Sequence, residues 1–254
     1  MPPTDPELLA LRRHAVLSRI AAAQGVEAHA ATPQLLAVSK TFPAESVLAL
    51  AASGQRDFGE NYLQEALTKI AACRSAAPQL DLQWHFIGPI QSNKTRAIAE
   101  HFDWVHSIDR LRIAERLSAQ RPSHLSPLQC CIQVNISEEA SKSGVRPNEL
   151  PALAQAMIRM PGLRLRGLMA IPEPVEDPRV QRLPFAQLRA LLQSTNCQLG
   201  PNQAMDTLSM GMSADLEAAV AEGASWVRVG SALFGAREAP DAISASPSPQ
   251  QKVG

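Results

Sequence analysis

Short apolar runs alternate along this chain with longer stretches in which apolar residues recur every three to four positions. Eight of the runs read as strands: Gln34–Lys40, Asp57–Glu60, Trp84–Gly88, Trp104–Ile108, Leu128–Ile136, Leu163–Ile171, Thr207–Gly211 and Trp226–Ser231. Several are almost wholly apolar, as strands covered by helices on both faces must be. Between them lie helical patterns. Asn61–Ala76 places Leu63, Ala66, Leu67 and Ile70 on one face. Asp109–Gln120 opens on an N-cap candidate and carries Leu111, Ala114 and Leu117. Pro147–Met160 and Pro178–Asn196 follow, the second with an expected break near Pro184. Ser213–Glu222 has a capping serine at its start and Gly223 just past its end. A further helix, about Asp5–Gln24, precedes the first strand.

Strand and helix in alternation predict an α/β fold with a parallel sheet. Eight repeats in a chain of 254 residues match a closed (β/α)8 TIM barrel with an extra N-terminal helix. A doubly wound open sheet competes, but it would carry a glycine-rich loop after its first strand. That loop here is Thr41-Phe42-Pro43-Ala44, with no glycine. The expectation is one barrel domain over residues 1–238. The tail 239–254, rich in Ala, Ser, Pro and Gln, is expected to be disordered.

Composition narrows the partners. Lys+Arg and Asp+Glu balance at 24 each, and no basic stripe is evident, which argues against nucleic acid. No apolar stretch approaches the ~18 residues of a membrane span, and the N-terminus lacks the order of a signal peptide. The cysteines, Cys73, Cys130, Cys131 and Cys197, lack metal-ligand spacing and read as reduced thiols of a cytoplasmic protein. No metal site is expected.

In a barrel of this kind the site lies at the C-terminal ends of the strands. Lys40 ends the first. A lysine with a buried stem facing a cleft can lose its proton and attack a carbonyl, although it can equally mark only where the strand meets water. The last two strands end in Ser209-Met210-Gly211 and Arg228-Val229-Gly230-Ser231. Hydroxyls and close-approach glycines suit a phosphate there, or the glycines serve turns alone. Arg228, if inward, needs an acceptor: a carboxylate or a ligand's ring nitrogen.

The segments Ala37–Lys40, Phe58–Asn61, His85–Lys94, Gly167–Pro172, Leu208–Ser213 and Val227–Gly230 together resemble one family. It is the pyridoxal phosphate homeostasis family, once described as proline synthase co-transcribed, whose barrel is similar to the N-terminal domain of alanine racemase. The resemblance runs from about Leu8 to Gly235 with its motifs in order. It implies that Lys40 holds pyridoxal 5′-phosphate (PLP) as a Schiff base. It implies that Ser209, Gly230 and Ser231 hold the phosphate, that Arg228 faces the pyridine nitrogen, and that Asn61 lies beside the ring. Met169 lines the pocket in this reading, or is simply core. Lys94 and Lys142 are secondary contacts or exposed loop lysines.

The function so implied is intracellular PLP homeostasis, by a monomer that buffers the cofactor or carries it to PLP-dependent apo-enzymes and so affects amino- and keto-acid balance. An enzyme is the alternative: a PLP-dependent amino acid racemase using Lys40 and Tyr62, the sole tyrosine. A Schiff-base aldolase would explain Lys40 and a phosphate site but leaves Arg228 without a role.

Overall fold

The computed structural model describes residues 3–24, 32–137, 139 and 143–235. Lys142 and the tail from Ala239 onward lie outside the described residues. Eight parallel strands close into a barrel in sequence order. They are β1 Gln34–Val38, β2 Asp57–Glu60, β3 Gln83–Phe86, β4 Trp104–Ile108, β5 Leu128–Gln133, β6 Leu163–Met169, β7 Thr207–Ser209 and β8 Trp226–Val229. Closure comes from β8 on β1, with Leu36 opposite Arg228 and Ala37 opposite Val229. The helices are α1 Pro6–Gln24, α2 Ala44–Ala52, α3 Leu63–Ala76, α4 Thr95–His101, α5 Leu111–Gln120, α6 Leu150–Met157, α7 Pro178–Leu199, α8 Leu216–Ala221 and α9 Ser231–Phe234.

The helices clothe the barrel with their apolar stripes. In α5, Ile113, Ala114 and Leu117 are wholly buried; in α3, Ala66 and Ile70 are. Each fully buried large side chain contributes ~1.5–3 kcal/mol relative to exposure. The N-terminal α1 packs on α2, α8 and α9. It buries Leu9, Val16 and Ile20, and Arg19 grips Glu217 of α8 through two hydrogen bonds of 2.7 and 2.9 Å.

Several details depart from the sequence reading. Most strands end two or three residues before their apolar runs do, because the last residues peel away to form the barrel mouth. The helix containing Pro184 is unbroken. A proline there leaves the carbonyl of Val180 without its helical donor, but Val180 is exposed, so water can replace it. Asp109 does not cap its helix; Arg110 occupies that position and caps nothing through its side chain. Likewise α8 starts after Asp215, whose carboxylate instead accepts from the Met212 N–H at 2.5 Å. All four cysteines are free thiols. Among the described residues no helix is long and apolar enough to cross a membrane.

Candidate active site at the barrel mouth

Lys40 lies two residues past the end of β1, after Ser39, and is half-buried. The next residue, Thr41, has φ 70°, a left-handed conformation that is an outlier for a β-branched residue. On one side of Lys40 lies β2. Val38 stands opposite Gly59, so counting two residues on brings Lys40 level with Asn61. The Oδ1 of Asn61 is buried and has no hydrogen-bond partner among the described residues. Gly88, after β3, packs so closely on Asn61 that a Cβ would collide with its carbonyl oxygen.

On the other side lies β8. Arg228 is 4% exposed. Its guanidinium donates to the Ser209 carbonyl at 2.6 Å, the Ser209 hydroxyl at 2.9 Å and the Ala170 carbonyl at 2.9 Å. These bonds use three of its five N–H groups. Burial lowers its pKa to about 10, so it stays a cation at neutral pH. Behind it the Ser209 hydroxyl lies 2.7 Å from His106 Nδ1, His106 Nε2 lies 3.0 Å from His85 Nδ1, and His85 Nε2 lies 3.2 Å from Asp57. Burial pushes the pKa of both imidazoles down, that of His106 well down.

The end of β8 supplies the remaining candidates. Gly230 precedes α9, and its Cα approaches β1 so that a Cβ would stand 3.2 Å from the Val38 carbonyl oxygen. Ser231 opens α9 with its side chain exposed. Helix-start N–H groups have no acceptor within their own helix, and they point the way an anion would bind. The β1 and β8 ends are held together by Phe42, stacked on Phe234 with ring centroids 4.8 Å apart. Gly211, at φ 88°, turns the chain after β7 where a Cβ would meet that of Ala219 at 2.5 Å.

Lys40, Asn61, Arg228, Gly230 and Ser231 thus share the ends of three neighbouring strands. Ser209 ends β7 beside them, with its hydroxyl turned inward to Arg228 and His106. Met169, opposite Ser209 in the β6–β7 register, is wholly buried. Tyr62 is 54% exposed. Lys94 ends a short 3-10 turn after β3, half-buried. The sequence reading missed the roles of His85, His106 and Asp57. Their signal was a polar residue within each of three consecutive strands.

A parallel barrel whose mouth presents a lysine, an asparagine and a buried arginine on adjacent strands defines a class of fold. The sequence matches the family described as alanine racemase, N-terminal domain, over residues 16–238. It is 62% identical over 217 residues to the pyridoxal phosphate homeostasis protein of Pseudomonas aeruginosa, covering 85% of this chain and 90% of that one. The Escherichia coli protein of the same name is 53% identical over 204 residues, covering 80% and 86%. The solved structure of PipY from Synechococcus elongatus with PLP bound superposes with a TM-score of 0.76 at 36% identity, covering 89% of this chain and all of that one. The chain belongs to the pyridoxal phosphate homeostasis protein family.

Proposed function

We propose that this protein binds PLP at the barrel mouth, with Lys40 as its covalent anchor, and stores and releases the cofactor in the cytoplasm. When bound, PLP supplies an aldehyde that a primary amine captures reversibly. The observation that carries the reading is the placement of Lys40 between Asn61, just past β2, and the Arg228–Ser231 segment at the end of β8. The residues fit the group. The buried Oδ1 of Asn61 is an acceptor awaiting a donor, and a ligand O–H or N–H beside Lys40 would satisfy it. Gly230 and Ser231 offer backbone N–H groups and a hydroxyl to a phosphate. Ser209 aligns Arg228 in this reading, and Met169 lies beneath the mouth.

Arg228 sets the chemistry. A guanidinium has only donors, so Arg228 would favour a facing ring nitrogen in its unprotonated form. That weakens the electron sink on which demanding carbanion chemistry depends and suits a holder of the cofactor. We take the protein to be a monomer that hands PLP to PLP-dependent apo-enzymes. Racemisation is the second reading because Tyr62 adjoins Asn61 at the mouth.

The test is direct. The protein mixed with PLP should turn yellow, and borohydride should fix the label on Lys40, whereas Lys40→Ala should take no label. A colourless wild type would overturn the proposal. Transfer of PLP to an apo-enzyme faster than free diffusion separates delivery from buffering. Exchange of the Cα hydrogen of an L-amino acid in deuterated water, lost in Tyr62→Phe, would establish the racemase instead.

A further inference from the structure

We propose that Lys69 is a positioning residue for Lys40, acting through a buried ionic clamp on the backbone at both sides of it. The inference rests on the reading of Lys40 as the PLP anchor. Lys69 projects from α3 behind β1 and β2, and its side chain is 3% exposed. Its ammonium donates to the Ser39 carbonyl at 2.7 Å, to Glu60 Oε1 at 2.5 Å and to Glu65 Oε1 at 2.9 Å. Glu60, wholly buried, also accepts from the Ser39 hydroxyl at 2.6 Å. Glu65 accepts from the Thr41 N–H at 2.6 Å. One cation therefore holds Ser39 directly and Thr41 through Glu65.

Lys40 is the residue between these two anchors. The turn it occupies is closed by the Phe42 N–H on the Ser39 carbonyl at 3.0 Å, and it forces Thr41 to φ 70°. Such a conformation in a non-glycine residue is strained and persists only where its surroundings impose it. The clamp supplies the imposition. Burying one ammonium among two carboxylates has no obvious benefit for stability, since an apolar group of similar size would serve as well or better. Its geometry accounts for it: the ammonium and its carboxylates meet the backbone on each side of the anchoring lysine, and the strained turn aims Lys40 at the mouth.

The experiment compares full-length wild type, Lys69→Met, Glu65→Ala and the double variant Lys69→Met/Thr41→Gly. The readouts are the affinity for PLP, the rate of borohydride-fixed labelling of Lys40 by peptide mass, and the Thr41 amide resonance without PLP. We expect labelling in Lys69→Met to slow about tenfold or more, with a shifted Thr41 amide. Glycine adopts φ 70° without strain, so Thr41→Gly should restore most of the lost rate; a purely structural role for Lys69 would not be rescued this way. Glu65 is a third exposed, so Glu65→Ala should fold even if Lys69→Met does not, and it should slow labelling by removing the Thr41 acceptor. Wild-type rates in Glu65→Ala and any folded Lys69→Met protein, or no rescue by Thr41→Gly, would overturn the inference. Absence of label on wild-type Lys40 would instead overturn the PLP reading itself.

Discussion

Arg228 and Ser209 are joined twice: the guanidinium donates to the serine's carbonyl at 2.6 Å and to its hydroxyl at 2.9 Å. The pair is one end of a chain that crosses the barrel interior through His106 and His85 to Asp57. With both imidazoles neutral, one order of donors and acceptors satisfies every link. Asp57 accepts from His85 Nε2–H, His85 Nδ1 accepts from His106 Nε2–H, and His106 Nδ1 accepts from the Ser209 hydroxyl. The serine oxygen is then turned to receive Arg228. Asp57 at the start of β2 thereby orients an arginine on β8.

That order fixes the tautomers. Nitrogen-15 NMR at neutral pH should show His85 and His106 both neutral and both protonated at Nε2. A proton on Nδ1 of either ring would break the chain and remove this account of how Arg228 is held.

The same burial gives stability a pH dependence. Both histidines have native pKa values below the unfolded value of ~6.5. Their contribution is therefore complete above that value and is lost as pH falls, because only the unfolded chain takes up the protons. Glu60 works in the opposite sense, since burial raises its pKa and its contribution is lost as pH rises. Comparing wild type with His106→Asn isolates one histidine. The difference in unfolding free energy should shrink with falling pH, approaching about 1.4 kcal/mol per pH unit below pH ~6. Parallel stability curves would contradict it.

Arg228→Lys tests geometry apart from charge. A lysine keeps the cation but cannot meet the Ser209 hydroxyl and the carbonyls of Ser209 and Ala170 in one planar fork. Each acceptor left unmatched costs about 1–3 kcal/mol. Thermal unfolding should move down, and PLP affinity should fall about tenfold or more even where the protein is fully folded. Equal affinity would show that charge alone matters at this position.

Much of this architecture was legible in the chain because both periodicities were strong. The Trp104–Ile108 and Asp57–Glu60 strands were read with their observed bounds. Strand ends were overextended where apolar residues continue past the sheet: Ala170 and Ile171 look like more strand, yet they belong to the mouth. The short helices escaped notice for different reasons. Ala44–Ala52 is apolar nearly all round, and Thr95–His101 is too short for a period to register. Lys40 and Arg228 stood out as cations at or near the ends of apolar strands. The His85–His106 contact could not stand out, because it depends on the register of β3 against β4, which no local pattern encodes. Lys69 was hidden for a similar reason: on a helix of mixed charge it reads as one more solvated lysine until α3 is packed on the barrel.

Gly88 is a second place where a small change should reach the site. A Cβ there would strike the Asn61 carbonyl oxygen and lie 2.8 Å from its Cα. Backbone cannot yield as a flexible side chain can, so Gly88→Ala must displace the end of β2 or β3, at a cost of about 1–3 kcal/mol. The expected result is a lowered melting temperature together with weaker PLP binding. A variant with unchanged affinity would show that Asn61 can move without consequence.

Asn61 offers the sharpest separation of stability from binding. Its Oδ1 is buried and unpartnered among the described residues, and an acceptor in that state costs about 1–3 kcal/mol relative to one that is bonded or removed. Asn61→Leu removes the acceptor while keeping the number and branching of side-chain heavy atoms. Without PLP the variant should therefore be at least as stable as wild type by denaturant unfolding. With PLP the order should reverse: the acceptor that is a liability in the cofactor-free protein is lost as a contact, and affinity should fall about tenfold. Saturating PLP should then raise the melting temperature of wild type by more than it raises that of the variant. If Asn61→Leu instead destabilises the cofactor-free protein and leaves affinity intact, Asn61 is a structural end to β2 and has no part in holding the ligand.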